Sequence, residues 1–539
     1  MSIKKITALI LICGMLIPFS ACRKGSAKNA DKTINYNLSA EPETLDPQIA
    51  SDSPSLIAIG AIFEGLVRLD SNGNAVPGAA VSWEHNTDNT EFTFHLRKNA
   101  KWTDKKGTPV TAGDFVYSFR RALDPQTGSK TCSPMFCIKN AHNVNSGKMS
   151  TDKLGVTAKD EYTLVVRLEY SYPDFPKLTA NAVFMPCNEK FFTSTSGRYG
   201  LDNEYVIGNG PFVIDGKYGW EHGKYLNMKR SSVYSGEKTP LPSKVDFSIG
   251  NGTADVSDPV SALENGTVDA ISLSESQAEK AKKGGCTLVS FEDTTWGLCF
   301  NTQSDLMKNL KIRKAFIESF DRAKVLSHLP SNVSKAESLL LPSTELLGRK
   351  YTSEYGGPFY LKQDKNSGSL LKEGLKELGL KGIGPISVLC PNNGNANLML
   401  NEMIVSWNEE FKNYFNMEML DDSKLTSQVE SGNYQMAIYP LTTGNGSAFS
   451  VLSRFSSSYS GNPADFKDPV YDSLISEAEN KDRKDAISSY AAAEKYLSDN
   501  AVFYPLYYGK HFYAMAKGVS GIIFNSTQSG IDFINAGKE

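Results

Sequence analysis

Six histidines, at positions 85, 95, 142, 222, 328 and 511, set most of the chemistry open to this chain. A zinc hydrolase places two imidazoles on one helical face with a glutamate beside them, and neither H-E-x-x-H nor H-x-x-x-H occurs. His95 falls in the polar phase of an alternating run, where a solvated strand residue is the plainer reading. No G-x-S-x-G supplies a nucleophile elbow. Gly210 to Lys217 ends in Gly-Lys, but five residues intervene where a phosphate loop has four, and Tyr218 replaces its Ser or Thr. Gly379-Leu-Lys-Gly-Ile-Gly384 follows a helical run and precedes a strand, the reverse of a dinucleotide site, so it reads as a helix C-cap and turn. Asp421-Asp422 would point to opposite faces of a strand or sit in a solvated loop. A Ser, His and Asp brought together only in space stays open. No motif recommends an enzyme, a cofactor or a metal site.

The cysteines speak instead of compartment. Lys4 and Lys5 precede a short apolar run, Ile6 to Phe19, closed by Ser20-Ala21: an export signal, shorter than the roughly 20 apolar residues of a membrane span. Phe19-Ser20-Ala21-Cys22 resembles the bacterial lipobox, although Phe19 stands where Leu is usual. Cleavage after residue 21 would leave Cys22 as the lipidated N-terminus and 23–32 as a small, polar tether. It would also remove two lysines, leaving 55 basic against 60 acidic residues and a charge of −5. Cys13 departs with the signal. Cys132, Cys137, Cys187, Cys286, Cys299 and Cys390 remain, enough for up to three bridges in an oxidising compartment, and Cys132 with Cys137 could close a small loop.

The elements that must position any site follow from periodicity. Phe92, Phe94 and Leu96 alternate on one face of a strand, 91–97, and Leu164, Val166 and Leu168 do so in another. Thr111 caps a helix from Phe115 to Leu123, with Asp114 at its third position. A strand and hairpin, Phe212 to Met228, turns around 216–223. Helices are expected at 309–329, 369–378 and 398–411, with a short strand at 385–389. Ala486, Tyr490, Ala493 and Leu497 form a helical stripe, and 502–508 an aromatic strand. Strands and helices mix without strict alternation, so the class is α/β with mixed sheets. At 539 residues, 40% hydrophobic and 22% charged, the chain can bury two to four domain cores. Its net charge of −3 offers no basic field to nucleic acid.

Several segments together resemble the bacterial extracellular solute-binding proteins of family 5, the peptide, dipeptide and nickel receptors of ABC importers. They are Glu41-Pro-Glu-Thr-Leu-Asp-Pro47, Phe63-Glu-Gly-Leu66 and Ala80-Val-Ser-Trp83, followed by the block from Phe92 to Asp104. That block runs into Pro109-Val-Thr-Ala-Gly-Asp-Phe-Val-Tyr-Ser118, the most specific stretch. Gly208-Asn-Gly-Pro-Phe212, Lys229-Arg-Ser-Ser-Val-Tyr234, Asn301, Leu310-Lys-Ile-Arg-Lys-Ala315 and Asp321-Arg322 continue the likeness, which is sparse after 330. Within the family the oligopeptide receptors are the nearest type.

The resemblance implies a periplasmic-binding-protein fold (type II, cluster C), two lobes with a hinge plus an extra domain. Domain I would comprise 34–64, 185–293 and 505–539, domain II 65–184 and domain III 294–504, with hinge crossings near 293 and 505. It further implies a monomeric, lipid-anchored receptor that closes on a peptide and presents it to a membrane permease, in the periplasm or on the cell surface. Ser51, Asp52 and Ser53 fall where domain I offers backbone bonds, and Tyr439, Pro440, Leu441, Thr442, Thr443 and Gly444 where domain III offers the opposing strand. Gly444 occupies the position of the aspartate that holds the ligand's amino group in peptide-binding members. Ser272 and Thr131 replace pocket aromatics, and Thr294 and Thr442 occupy a pair of positions that is a disulfide in some members. Trp296, Asn392, Asn393 and Asn445 complete the candidate pocket, whereas Trp83 and Trp102 belong to the core. The missing amine anchor leaves room for a dipeptide, haem or a nickel chelate as cargo. A surface adhesin or chaperone-like protein on the same scaffold is the reading from another class.

Overall fold

The structure, a computed structural model, describes residues 33–538 apart from 170–171, 251, 255, 330–332, 347–348, 352–358, 361–362, 364–365, 393, 413–414, 443–447, 460, 481–482 and 526–529. The export signal, Cys22, Asn393 and Thr443 to Asn445 thus lie outside the described residues. In chain order the elements that frame the site begin with β1 (Thr33–Leu38), α1 (Ser53–Ile62), β2 (Ala80–His85), β3 (Glu91–Leu96) and α2 (Ala112–Leu123). Next come β4 (Val156–Asp160), β5 (Thr163–Arg167), β6 (Phe212–Ile214), β7 (Tyr225–Arg230), β8 (Lys244–Ile249), β9 (Ala270–Leu273) and β10 (Thr287–Phe300). The chain continues through α3 (Leu310–Glu318), α4 (Arg322–Leu326), α5 (Ser367–Leu378), β11 (Ile386–Pro391), α6 (Gly394–Phe411) and β12 (Phe415–Leu420). It closes with α7 (Asp422–Glu430), β13 (Met436–Thr442), α8 (Arg483–Asp499) and β14 (Phe503–Met515).

One large mixed sheet runs in the order β12-β11-β13-β10-β14-β9-β1-β8-β7-β6, and a second in the order β2-β3-β5-β4. The long strands β10 and β14 pair antiparallel from Thr287↔Met515 to Cys299↔Phe503 and join the two halves of the large sheet. The three largest hydrophobic clusters divide at the same place. The first is built from residues between Ile34 and Cys286 plus Phe512 to Ala536. The other two draw on residues from Leu298 to Tyr507, one on each face of the sheet. Strand alternation sorts them: Leu298, Phe300, Met436 and Ile438 enter one cluster, Cys299, Ala437, Tyr439 and Leu441 the other.

Local chemistry sets the element ends. Thr111 and Asp114 form a capping box on α2, and the buried Trp102 donates its indole N–H to the same carboxylate at 3.4 Å. The helix expected over 309–329 is two helices, because Asp321 accepts from the N–H groups of Ala323 and Lys324 and starts α4 afresh. Asp421 caps α7 in the same way, through Lys424 N–H at 2.9 Å. Gly379 ends α5 at φ +70°, the C-cap expected of it. All six cysteines from Cys132 onward are buried free thiols, so the possible bridges, Cys132–Cys137 included, are not formed.

Candidate functional site

Where β10 crosses from one half of the sheet to the other, its register with β14 slips twice, between Glu292 and Thr294 and between Trp296 and Gly297. A bulge bends the strand and re-aims the side chains around it. Asp293 sits at the first slip, between Glu292↔Lys510 and Thr294↔Gly509. Along the same strand Thr294 faces Thr442, and Trp296 faces Pro440 of β13 and Tyr507 of β14. The indole of Trp296 lies parallel to the Tyr507 ring, 5.9 Å between centroids and 4° between planes. Gly509 makes room for it: a Cβ there would sit 2.6 Å from the indole nitrogen.

This face collects Ser272, Trp296 and Thr442 from the positions singled out in the sequence. Tyr439 and Leu441 alternate to the other face and bury their side chains in a hydrophobic cluster, so a ligand would meet them through backbone. Burial pushes the Tyr439 hydroxyl up to about 12. Beyond Ala437, where pairing with β11 ends, β13 has no second strand along Ile438 to Thr442 among the described residues. That edge offers backbone groups to an extended chain. Ser51 and Ser53 are exposed at the start of α1, and Asp52 accepts from Ser55 N–H at 2.9 Å as its N-cap. Thr131 is buried, with no hydrogen-bond partner for its hydroxyl among the described residues. Asn392 is exposed and donates its backbone N–H to Leu420 O at 3.0 Å.

Sequence reasoning missed the polar string next to Trp296. Ser272 Oγ lies 2.9 Å from His511 Nε2, and His511 Nδ1 faces Asp293 Oδ2 at 3.8 Å. Three strands supply these groups: β9, β14 and the bulge of β10. Burial pushes the Asp293 carboxyl up, against the hydrogen bond from the Thr294 hydroxyl at 2.9 Å. No motif links residues as far apart as 272 and 511; only their shared strand face does. The set has a triad's composition, yet 3.8 Å is too long for the orienting His–Asp hydrogen bond that such catalysis needs.

No group of three or more His, Cys, Asp or Glu side chains among the described residues is arranged to hold a metal ion. No described helix is long and apolar enough to cross a membrane. A small recess lies between α1 and the C-terminal segment, lined by Glu64, Arg68 and Asp532 among others, and contains none of the candidate residues. An Arg68–Asp532 ion pair sits in its wall.

The family profile described as "Bacterial extracellular solute-binding proteins, family 5 Middle" matches residues 74–463. Over 538 residues, and 97% of each chain, the sequence is 26% identical to the dipeptide-binding protein DppE of Bacillus subtilis. It is 28% identical to the periplasmic murein peptide-binding protein MppA of Escherichia coli over 518 residues, 92% of each. The substrate-binding domain of an oligopeptide ABC transporter from Bacillus anthracis superposes with a TM-score of 0.76 at 26% identity, covering 94% of this chain and 99% of that one. Haemophilus influenzae OppA in complex with RPPGFSPFR superposes at 0.75, with 25% identity and coverage of 95% and 99%. These relatives are binding proteins rather than enzymes.

Proposed function

Because the chain belongs to the bacterial extracellular solute-binding proteins of family 5, we propose that it is the peptide receptor of an ABC importer. An extended peptide would lie along the edge of β13 at Ile438 to Thr442, opposite Ser51 to Ser53, in a cleft closed by domains I and III. The observation that carries this reading is the open β13 edge beside the bulged crossing of β10 and β14. Main-chain hydrogen bonds along such an edge give affinity without reading side chains, as suits a carrier of many peptides. The separation of the hydrophobic clusters supports movement of the two lobes as bodies about the crossing strands. Ligand then shifts the open–closed population by binding the closed form more tightly, and the closed form is what a permease would engage.

The relatives named for dipeptides, murein peptides and oligopeptides all support a peptide cargo. Native mass spectrometry of protein purified without refolding tests this. Peptide masses that dissociate on unfolding are expected, and a porphyrin or metal-chelate mass without peptides would overturn the reading. Lipid on Cys22 would hold the receptor at the membrane. A Cys22→Ala variant is then expected in the soluble extracytoplasmic fraction, and its retention in the membrane would contradict the anchor.

A further inference from the structure

The polar string at the crossing defines what kind of ligand group the cleft prefers. Thr294 donates its hydroxyl to Asp293 Oδ1, which turns Oδ2 toward His511 Nδ1. The two atoms are 3.8 Å apart, beyond hydrogen-bond distance of one another. That spacing suits a single donor lying about 2.8–3.0 Å from each. A donor placed there selects the tautomer with the proton on His511 Nε2, which Ser272 Oγ, at 2.9 Å, is positioned to accept. Both side chains stay within reach of solvent, Asp293 at 30% and His511 at 40% exposure. They share a strand face with Trp296 and Thr442 at the junction of the lobes.

We infer that Asp293 and His511, held by Thr294 and Ser272, form a subsite for a primary ammonium group of the bound ligand. Burial raises the cost of the Asp293 carboxylate, and a bound cation offsets that cost. The aromatic stack of Trp296 and Tyr507 beside it supplies an apolar wall for the carbon next to the ammonium. The inference rests on the peptide reading above and adds a preference to it. A peptide presents an ammonium either at its N-terminus or on a lysine, and the subsite chemistry is the same for both.

The test uses three synthetic tetrapeptide pools: one lysine-free with free N-termini, the same pool N-acetylated, and an N-acetylated pool with one lysine per peptide. Occupancy of the mature protein is read by native mass spectrometry in competition. Wild type is expected to prefer the free-amine pool over the acetylated one by about tenfold or more. Recovery of binding by the lysine pool assigns the site to the side-chain amine, and its absence to the N-terminus. Asp293→Asn is expected to bring the preference within about twofold while total peptide occupancy stays measurable. His511→Gln should weaken the preference as well, and gives the same readout if the Asn variant fails to fold. A tenfold preference that survives in both variants, or a wild type that binds all three pools equally, overturns the subsite alone. Binding of none of the pools overturns the peptide reading and the subsite with it.

Discussion

In the lobe that contains the N-terminal half, Arg97 meets Glu64, which also accepts the Tyr234 hydroxyl at 2.6 Å, and Arg121 meets Asp46 and Gln48. In the lobe built from 298 to 507, buried charges stand singly among dipoles. Arg313 donates to the carbonyls of Met307, Asn500 and Ala501, and Glu494 accepts from Leu339 N–H at 2.6 Å, Leu340 N–H at 3.1 Å and the hydroxyls of Ser338 and Tyr351. The titration behaviour follows. Burial draws the Arg313 guanidinium down to about 10 and pushes the Glu494 carboxyl up, whereas Arg121 is held above its ordinary value because Asp46 outweighs the cost of burial. Ion pairs stitch segments of the first lobe that are far apart in sequence, while the second fixes its loops by hydrogen bonds from single charges. These charged groups brace each lobe within itself, while the Tyr508 hydroxyl reaches Ser338 O at 3.2 Å and Leu340 O at 3.3 Å across the seam where β10 and β14 pass.

The largest effect that can break this contrast is the loss of one partner of a buried pair. Arg97→Ala leaves Glu64, only 2% exposed, without its guanidinium partner, and is expected to cost about 3–5 kcal/mol in urea titration. The double variant Arg97→Met, Glu64→Leu should cost less than the single one. Equal costs would mean that the pair does not brace the lobe. Next, Glu494→Leu removes the acceptor of two backbone N–H groups and two hydroxyls, for about 2–4 kcal/mol. Glu494 also gives the second lobe a pH dependence. Its folded-state pKa lies above the ordinary 4.5, so the folded protein binds that proton more tightly than the unfolded chain. The contribution is complete below pH 4.5 and is lost as pH rises through the raised value. Glu494→Gln should flatten this slope in urea midpoints taken across pH 4.5–8, and an unchanged slope would assign it elsewhere.

At the seam itself the expected effect is smaller. Gly509→Ala places a methyl against Trp296 and is expected to cost about 1–3 kcal/mol. In a Trp296→Leu background the same change should cost markedly less, because the clash partner is gone. Equal costs in both backgrounds would place the strain in the backbone instead. The smallest effect is at the surface, where breaking the exposed Lys495–Asp499 pair should leave the urea midpoint unmoved.

Much of the frame was legible because it is local. The capping box at Thr111, the alternation of Phe92, Phe94 and Leu96 and the stop at Gly379 each depend on residues within a few positions of one another. Asp321 carried a cap signal too, but a run of apolar and basic residues on both sides reads as one continuous helix unless its side chain is seen to turn back. The site was legible in part. Thr294 and Thr442, paired by resemblance, are register partners, and Trp296 lies on the same face. Facing was the harder matter: Tyr439 and Leu441 share their strand with Thr442 yet turn the other way, which depends on where β13 pairs with β10. The Ser272–His511–Asp293 string lay beyond reach for a related reason. A bulge aims Asp293, and its partners lie on two other strands.

On the reading proposed here, two separately braced lobes close over a peptide about the β10–β14 crossing. Small-angle X-ray scattering of the mature protein, stripped of ligand by unfolding and refolding and then titrated with the free-amine tetrapeptide pool, measures that closure directly. The radius of gyration is expected to fall and saturate with occupancy. A radius that stays constant while mass spectrometry reports bound peptide would contradict closure.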